Sequence, residues 1–203
     1  MLRLYAAPRT RAVRIVWLLE ELALPYELVR VEFQPTTSSF FIQQTPTGKI
    51  PTLEDNGVVM CESGAIVQYL LERYGEGRLE PAIGTPERAA YLQWLHYAEA
   101  TLFSPLGVVI WLTRYRDDAA DHPDLVRDAI DRAKTGFGFL ERSLDGRAYL
   151  AGDAFTAADI MMGFTLLAGG MLDVVDGLPH VAAYLGRITA RPAFAATLAK
   201  LPG

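Results

Sequence analysis

A proline at the start of a predicted strand is the first feature of the sequence that points to a ligand site. It closes the run TGKIP at residues 47–51, and Pro51 cannot donate a hydrogen bond to a sheet ladder. A cis bond between Ile50 and Pro51 would turn the backbone N–H and C=O of Ile50 toward a ligand; a trans proline at a strand start is the alternative. Lys49 is the only lysine before residue 134. Its flexible point charge suits a ligand carboxylate, and a solvated loop lysine is the alternative.

A second polar pair stands where a predicted strand passes into a helix. Ser63 is expected to begin that helix, so its hydroxyl and the free N–H groups of the first turn form an anion site. Glu62 beside it can pair with an ammonium group. Together the two residues would hold the zwitterionic end of an amino acid, and ordinary helix capping is the alternative.

The pattern of the first third of the chain predicts the elements that position these residues. Apolar alternation indicates strands at residues 2–5 and 27–32, and helical spacing indicates a helix over residues 10–22. This β-α-β unit requires parallel pairing of its strands. An irregular or helical stretch follows. Residues 50–60 then have the pattern of a β-hairpin, and residues 62–74 that of a helix.

Strand signals nearly vanish beyond a linker at residues 79–86. The rest of the chain has helical periodicity in five segments, at residues 87–103, 106–117, 125–144, 156–173 and 180–189. We therefore expect an α/β domain at residues 1–78 and an all-α, helical-bundle domain at residues 87–203.

Two further features are interpreted as structural. Thr156 and Asp159 have the spacing of a capping box, and Phe155 and Ile160 have that of a hydrophobic staple around the same helix start. Cys61, the one cysteine, is expected to be a buried small hydrophobe, although a thiol this near the predicted ligand site could be reactive.

Composition limits the classes of function. The chain has 203 residues, 51% of them apolar, and 19 basic against 24 acidic side chains give a net charge of −5. This balance offers no electrostatic footprint for nucleic acid or an anionic membrane. One cysteine and three scattered histidines make no metal-ligand cluster. No export signal is visible, and the longest charge-free apolar segment, residues 160–172, is shorter than a membrane span. We expect a soluble, cytoplasmic protein.

Taken in order, these motifs resemble the cytosolic (bacterial-type) glutathione S-transferase family over essentially the whole chain. The matching segments share their order with the family and are VWLLEEL at 16–22 with LPY at 24–26, GKIPTL at 48–53, ES at 62–63 with AI at 65–66, YLAGD at 149–153, TAAD at 156–159 and ARPAF at 190–194. The resemblance implies a thioredoxin-like N-terminal domain that binds glutathione as co-substrate. It also implies a helical domain that supplies the electrophile pocket, a homodimer, a role in detoxification and no metal.

The resemblance also assigns binding roles. The backbone of Ile50, before Pro51, matches the position that pairs with the cysteinyl unit of glutathione, and Lys49 matches a ligand of the glycyl carboxylate. Glu62 and Ser63 match the γ-glutamyl clamp.

Other residues are expected to complete the site. By the same resemblance Glu99 would reach the glutathione ammonium of the other subunit, and its alternative is an exposed helix glutamate. Phe103, Trp111 and Tyr115 recur at helical intervals, so some of them are expected to line the electrophile pocket. Such an aromatic stripe can equally be core.

Catalysis by this family requires a glutathione thiolate, because a thiol with a pKa near 8.5 is a poor nucleophile at neutral pH. Thr10 aligns best with the hydroxyl donor to sulfur, and a simple helix N-cap is its alternative. Tyr5 at the end of strand one is the second candidate, and Arg11 would add positive potential beside sulfur. Ala6 and Ala7 occupy places where some relatives carry the active serine. No cysteine lies in residues 5–14, which argues against mixed-disulfide chemistry.

The leading interpretation is thus a glutathione transferase that conjugates the thiolate to small hydrophobic electrophiles. A non-catalytic interaction module with this fold is the alternative from another class. A glutathione-dependent peroxidase, isomerase or dehalogenase is the third.

Overall fold

The predicted strands form one mixed sheet in the computed structural model of the chain, which describes residues 1–33 and 45–202. The strand order is β2-β1-β3-β4, with β1 at Leu2–Ala6, β2 at Tyr26–Arg30, β3 at Thr52–Asp55 and β4 at Val58–Met60. β1 pairs in parallel with β2 and antiparallel with β3, and β3 pairs antiparallel with β4. The predicted β-α-β unit and hairpin are confirmed. The predicted irregular or helical stretch falls largely on residues 34–44, outside the described residues.

Two helices accompany this sheet close to their predicted positions. α1 spans Ala12–Leu22, and its C-cap residue Ala23 has a φ of 54°, in the left-handed region. α1 begins two residues later than predicted, since Thr10 and Arg11 belong to the preceding turn. α2 spans Ser63–Tyr74, one residue shorter than predicted at its start. Both helices bury apolar side chains, which is why their periodicity was visible in the sequence.

The chain divides into two compact units, and the division differs from the predicted one at its C-terminal end. One unit holds residues up to Arg78 together with the described residues from Ala190 onward, and the other holds Leu79–Thr189. The described residues from Ala190 onward, which the sequence analysis placed in the helical domain, group with the first unit. The last helix predicted from the sequence ends at residue 189, so the helix beyond it was not identified.

The last helix, α8 at Pro192–Lys200, packs on α1 within the first unit. The rings of Trp17 and Phe194 lie 4.7 Å apart between centroids. Arg191 donates from Nε and Nη2 to the two carboxylate oxygens of Glu21, at 2.6 and 2.8 Å. An aromatic contact and a bidentate ion pair thus hold the end of the chain to the helix that follows β1.

The second unit is all-helical. Its α-helices are α3 at Pro86–Tyr97, α4 at Ser104–Ile110, α5 at Pro123–Ser143, α6 at Ala157–Gly170 and α7 at Pro179–Thr189. Two π-helical segments and a short 3₁₀ turn connect α3, α4 and α5, at Ala98–Phe103, Trp111–Arg116 and Ala119–Asp121. The segments predicted as separate at 87–103 and 106–117 therefore run on as one. Pro105 is tolerated because it stands in the first turn of α4, directly after the π-helical segment.

This continuous run, Pro86–Arg116, is long and apolar enough to cross a bilayer when only length and composition are considered. A core helix of a soluble protein meets the same criteria, and 44% of the most apolar window is buried inside the protein. The sequence argument against a membrane span used the charge-free segment at residues 160–172, and the helical run Pro86–Arg116 is longer than that segment. The absence of a membrane partner stays a prediction.

The capping box predicted at the start of α6 is confirmed. The Asp159 carboxylate accepts the N–H of Thr156 at 2.7 Å and its hydroxyl at 3.0 Å. It also accepts the N–H of Leu150 at 3.0 Å and the hydroxyl of Tyr184 at 2.8 Å. Burial raises the pKa of Asp159, and these four hydrogen bonds oppose that rise. One buried carboxylate therefore ties the start of α6 to α7 and to the loop before it.

Candidate functional site

The loop before β3 is braced by hydrogen bonds, and its charged side chain points outward. The bond between Ile50 and Pro51 is cis, which is the first of the two alternatives that the sequence left open. The Thr52 hydroxyl donates to the carbonyl oxygen of Lys49 at 2.7 Å, and the hydroxyls of Thr47 and Thr52 are hydrogen-bonded to each other. The side chain of Lys49 is exposed. The backbone around Lys49 is thus held in place while its ammonium group remains available to a ligand.

Ile50 offers backbone groups at the same place. Its N–H and C=O have no hydrogen-bond partner within the part of the chain that the structure describes. Its side chain packs beside Ala7 and Val31, together with Tyr5 and Phe33, which anchors the residue against the sheet. An extended ligand backbone can pair with such a strand-like edge.

The junction between β4 and α2 has an unusual backbone. Glu62 has φ 72° and ψ 104°, a conformation that costs a residue with a Cβ about 1–3 kcal/mol. Its side chain is exposed. The Glu62 carbonyl accepts the N–H of Ile66 at 2.9 Å, so the helix starts immediately after the strained residue. Glu62, with its exposed side chain, therefore stands directly before the first turn of α2.

Ser63 is the first residue of α2 and is only 3% exposed. Its hydroxyl oxygen accepts a hydrogen bond from Nη1 of Arg14 at 3.0 Å. Arg14 lies on α1 and is fully buried. The sequence argument did not identify Arg14 as part of the site. The available signal was its position, since residues three and four places further on are the apolar Trp17 and Leu18, which puts Arg14 on an apolar helix face.

Thr10, the first candidate donor to sulfur, lies in the turn before α1 and is 8% exposed. Its hydroxyl donates to the carbonyl oxygen of Ala7 at 2.7 Å and accepts the N–H of Ala12 at 3.3 Å. Thr10 is not the N-cap of α1, because Arg11 holds that position, so the N-cap role that the sequence offered as its alternative falls to the next residue. A threonine hydroxyl has one proton, so a bond from Thr10 to a ligand sulfur requires release of the Ala7 carbonyl.

The other two catalytic candidates also have defined surroundings. The Tyr5 hydroxyl donates to Oε1 of Glu54 at 3.0 Å, and Nη1 of Arg3 donates to the other oxygen of that carboxylate at 3.3 Å. Arg11 stands directly before α1 and is half-buried. The cation is therefore at the end of the helix where the macrodipole disfavours it.

The remaining predicted residues lie in the second unit. Glu99 is half-buried in the π-helical segment Ala98–Phe103. Phe103 is 7% exposed and stacks on Phe164, with ring centroids 5.5 Å apart. Trp111 and Tyr115 are half-buried and in contact, with ring centroids 5.7 Å apart. Phe103 thus packs in the core of its unit, while the Trp111–Tyr115 pair keeps exposed surface.

Two other kinds of site are less prominent. Residues 1–33 and 45–202 contain no group of three or more His, Cys, Asp or Glu side chains placed to hold a metal ion. An open groove of about 520 Å³ lies in the second unit between residues of α3 and the end of α5, including Gln93, Trp94 and Arg142. None of the predicted glutathione or electrophile residues lines this groove.

Family models match most of the chain. The model for the glutathione S-transferase N-terminal domain matches residues 1–72, and the model for the C-terminal domain matches residues 108–192. Glutathione S-transferase 3 of Zea mays is 32% identical over 214 aligned positions, which cover 99% of this chain and 95% of the maize protein.

Solved structures agree with these matches. A glutathione S-transferase from Actinobacillus pleuropneumoniae superposes with a TM-score of 0.84 at 31% identity, covering 100% of this chain and 94% of that one. A glutathione transferase family member from Pseudomonas fluorescens, solved with two glutathione molecules bound, has a TM-score of 0.82 at 28% identity. The alignment covers 97% of this chain and 92% of that one.

Proposed function

The chain belongs to the glutathione S-transferase family and is a glutathione transferase, and from this premise we propose that it adds the thiolate of bound glutathione to small hydrophobic electrophiles. The observation that carries the proposal is the start of α2. There a buried serine hydroxyl, hydrogen-bonded by a buried guanidinium, stands beside the free N–H groups of a helix N-terminus. This arrangement suits the carboxylate of an amino-acid ligand.

Glutathione would lie extended along this edge of the first unit. The unpaired backbone of Ile50, next to Pro51, would pair with the cysteinyl unit, and Lys49 would bind the glycyl carboxylate. Ser63 would hold the γ-glutamyl carboxylate and Glu62 its ammonium group. The strain at Glu62 supports this role, because costly backbone conformations persist where a function requires them.

The thiolate would be stabilised by the Thr10 hydroxyl, which must exchange the Ala7 carbonyl for sulfur. A neutral hydrogen bond contributes about 0.5–1.5 kcal/mol and one to a charged group about 1.5–3 kcal/mol. The exchange is therefore favourable once sulfur is ionised. Tyr5 is the second candidate, although its hydroxyl proton is already donated to the Glu54 carboxylate, a stronger competitor than a carbonyl. Arg11 would add positive potential.

The proposal extends to the assembly and the cell. The protein would be a cytoplasmic homodimer acting in detoxification, with Glu99 serving the glutathione of the other subunit. Of the three aromatic residues, Trp111 and Tyr115 are the stronger candidates for contact with the electrophile, because they retain exposure while Phe103 is buried. No metal, nucleic acid or membrane partner is part of the proposal.

A conjugation assay tests the proposal. Calorimetric titration should detect glutathione binding, and a nitro-activated aryl halide should be conjugated with saturable dependence on glutathione. Thr10→Ala should slow this conjugation, and Thr197→Ala is its matched control. The Thr197 hydroxyl is also buried and donates to a carbonyl, that of Ala193, at 2.7 Å, but it lies in α8. Binding without conjugation of any electrophile would favour the interaction module, because both candidate hydroxyls already have acceptors.

A further inference from the structure

Arg14 is a buried arginine of the first unit that the proposed glutathione contacts do not include. Among the residues that the structure describes, it is the only basic side chain that is buried, with no exposed surface. A guanidinium stays protonated in proteins, so its charge is buried with it. Burial of a charge costs several kcal/mol before compensation.

The direction of its hydrogen bond decides what Ser63 can do. A guanidinium only donates, so the Ser63 oxygen is the acceptor in the 3.0 Å contact with Nη1 of Arg14. Within the described part of the chain, this is the one hydrogen bond of the Ser63 hydroxyl. The hydroxyl proton therefore remains available, and the neighbouring positive charge makes it a stronger donor. A serine bonded to a carbonyl instead would have its proton occupied.

Electrostatics favour an anion at the same place. The N-terminus of α2 carries the positive end of a 12-residue helix, and a guanidinium donates to the hydroxyl of its first residue. A carboxylate that accepts the Ser63 proton is attracted by both of them.

We infer that Arg14 is a positioning residue of the glutathione site, which keeps the Ser63 hydroxyl proton directed to the γ-glutamyl carboxylate and strengthens that contact with its buried charge. Arg14 acts through Ser63 and does not need to touch the tripeptide. The inference rests on the proposed function. Within it, the Arg14 guanidinium is the group that makes the γ-glutamyl clamp selective for a carboxylate.

The test compares two ligands on two proteins. Glutathione and γ-aminobutyryl-cysteinyl-glycine, in which hydrogen replaces the γ-glutamyl carboxylate, are titrated calorimetrically against the parent and Arg14→Met. Methionine fills similar space without charge. Arg14→Met should bind glutathione about 10- to 100-fold more weakly, the loss of one charge-assisted contact. Both proteins should bind the decarboxylated ligand with the same affinity.

Controls separate this role from a structural one. Arg30→Met removes an exposed guanidinium of the same unit, which donates to the Lys200 carbonyl, and should leave both affinities unchanged. If Arg14→Met does not fold, as judged by circular dichroism and thermal unfolding, Arg14→Lys is used. It keeps the charge but loses the rigid fork, and it should lose affinity for glutathione alone.

Three outcomes would overturn the inference. Equal loss of affinity for both ligands would mean that Arg14 only maintains the shape of the site. Unchanged affinity for glutathione would mean that it does not act on the clamp. Failure of the parent protein itself to bind glutathione would refute the proposed function, and the inference with it.

Discussion

Replacement of Thr10 by alanine probes the step on which catalysis depends. In the structure the Thr10 hydroxyl donates to the Ala7 carbonyl, so its benefit to a thiolate is the difference between two hydrogen bonds. A bond to a charged acceptor contributes about 1.5–3 kcal/mol and a neutral one about 0.5–1.5 kcal/mol, which leaves about 1–1.5 kcal/mol. Since one pKa unit corresponds to about 1.4 kcal/mol, Thr10→Ala should raise the pKa of bound glutathione by about one unit.

The assay is the pH profile of kcat with saturating glutathione. Below the pKa of the bound thiol, Thr10→Ala should lower kcat about tenfold, because the thiolate fraction falls tenfold per pKa unit. The affinity for glutathione should change little, as the contacts of the other two units of the tripeptide remain. Thr10→Ser should keep the parental profile. Thr197→Ala should do so as well, since it removes an equivalent hydroxyl-to-carbonyl bond elsewhere in the first unit.

Two results would refute this reasoning. If Thr10→Ala keeps the parental profile while Tyr5→Phe raises the pKa of bound glutathione, the tyrosine is the donor and releases Glu54 to reach sulfur. If neither variant shifts the profile, the side-chain hydroxyl mechanism is wrong. A backbone N–H or Arg11 must then stabilise the thiolate.

Three further predictions concern other residues. Lys49→Ala should weaken glutathione binding only about two- to fivefold at unchanged kcat, because this exposed charge is screened by solvent; equal affinity at low salt would exclude Lys49 from the site. Burial would raise the pKa of Asp55, but hydrogen bonds from two tyrosines and the charge of Arg73 together lower it. The stability that ionised Asp55 contributes is thus present above the ordinary pKa near 3.9 and lost as the pH falls through the lower folded value. Asp55→Asn should be less stable than the parent at pH 7 by about 2 kcal/mol in urea unfolding, with the difference shrinking below pH 4, and a constant difference would contradict this. Mixed Thr10→Ala and Glu99→Ala chains should regain activity if each site draws on two subunits, and no recovery despite proven subunit exchange would count against that sharing.

The first unit could be predicted well because its signals are local. The alternation of β1, the hairpin of β3 and β4, and the proline after Ile50 each follow from a few neighbouring residues. The place of Ser63 at the start of α2 was predictable for the same reason, since serine is favoured at helix starts. These features need no knowledge of distant contacts.

What escaped prediction depends on contacts between distant parts of the chain. The bond between Arg14 and Ser63 joins residues 49 positions apart, and the ion pair between Glu21 and Arg191 joins residues 170 positions apart. No periodicity records such pairs. The position of α8 in the first unit follows from the second pair and from the ring contact of Trp17, so the domain division could not be read from helical patterning alone.

The residue that donates a hydrogen bond to the glutathione sulfur could not be identified from the sequence for a related reason. A sequence names hydroxyl-bearing residues, but the acceptor of each hydroxyl is set by the folded backbone. Thr10 and Tyr5 both satisfy the requirement for a donor in the sequence. The structure distinguishes them by their present acceptors, a carbonyl for one and a carboxylate for the other.

The central claim is that this protein binds glutathione and ionises it, and a spectroscopic titration of the parent protein tests both parts. The ultraviolet absorbance of the thiolate is followed against pH with glutathione bound, and free glutathione serves as the reference. The bound thiol should ionise at least about one pH unit below the ordinary thiol pKa near 8.5. Ionisation at the same pH as free glutathione, or no binding at all, would contradict the account.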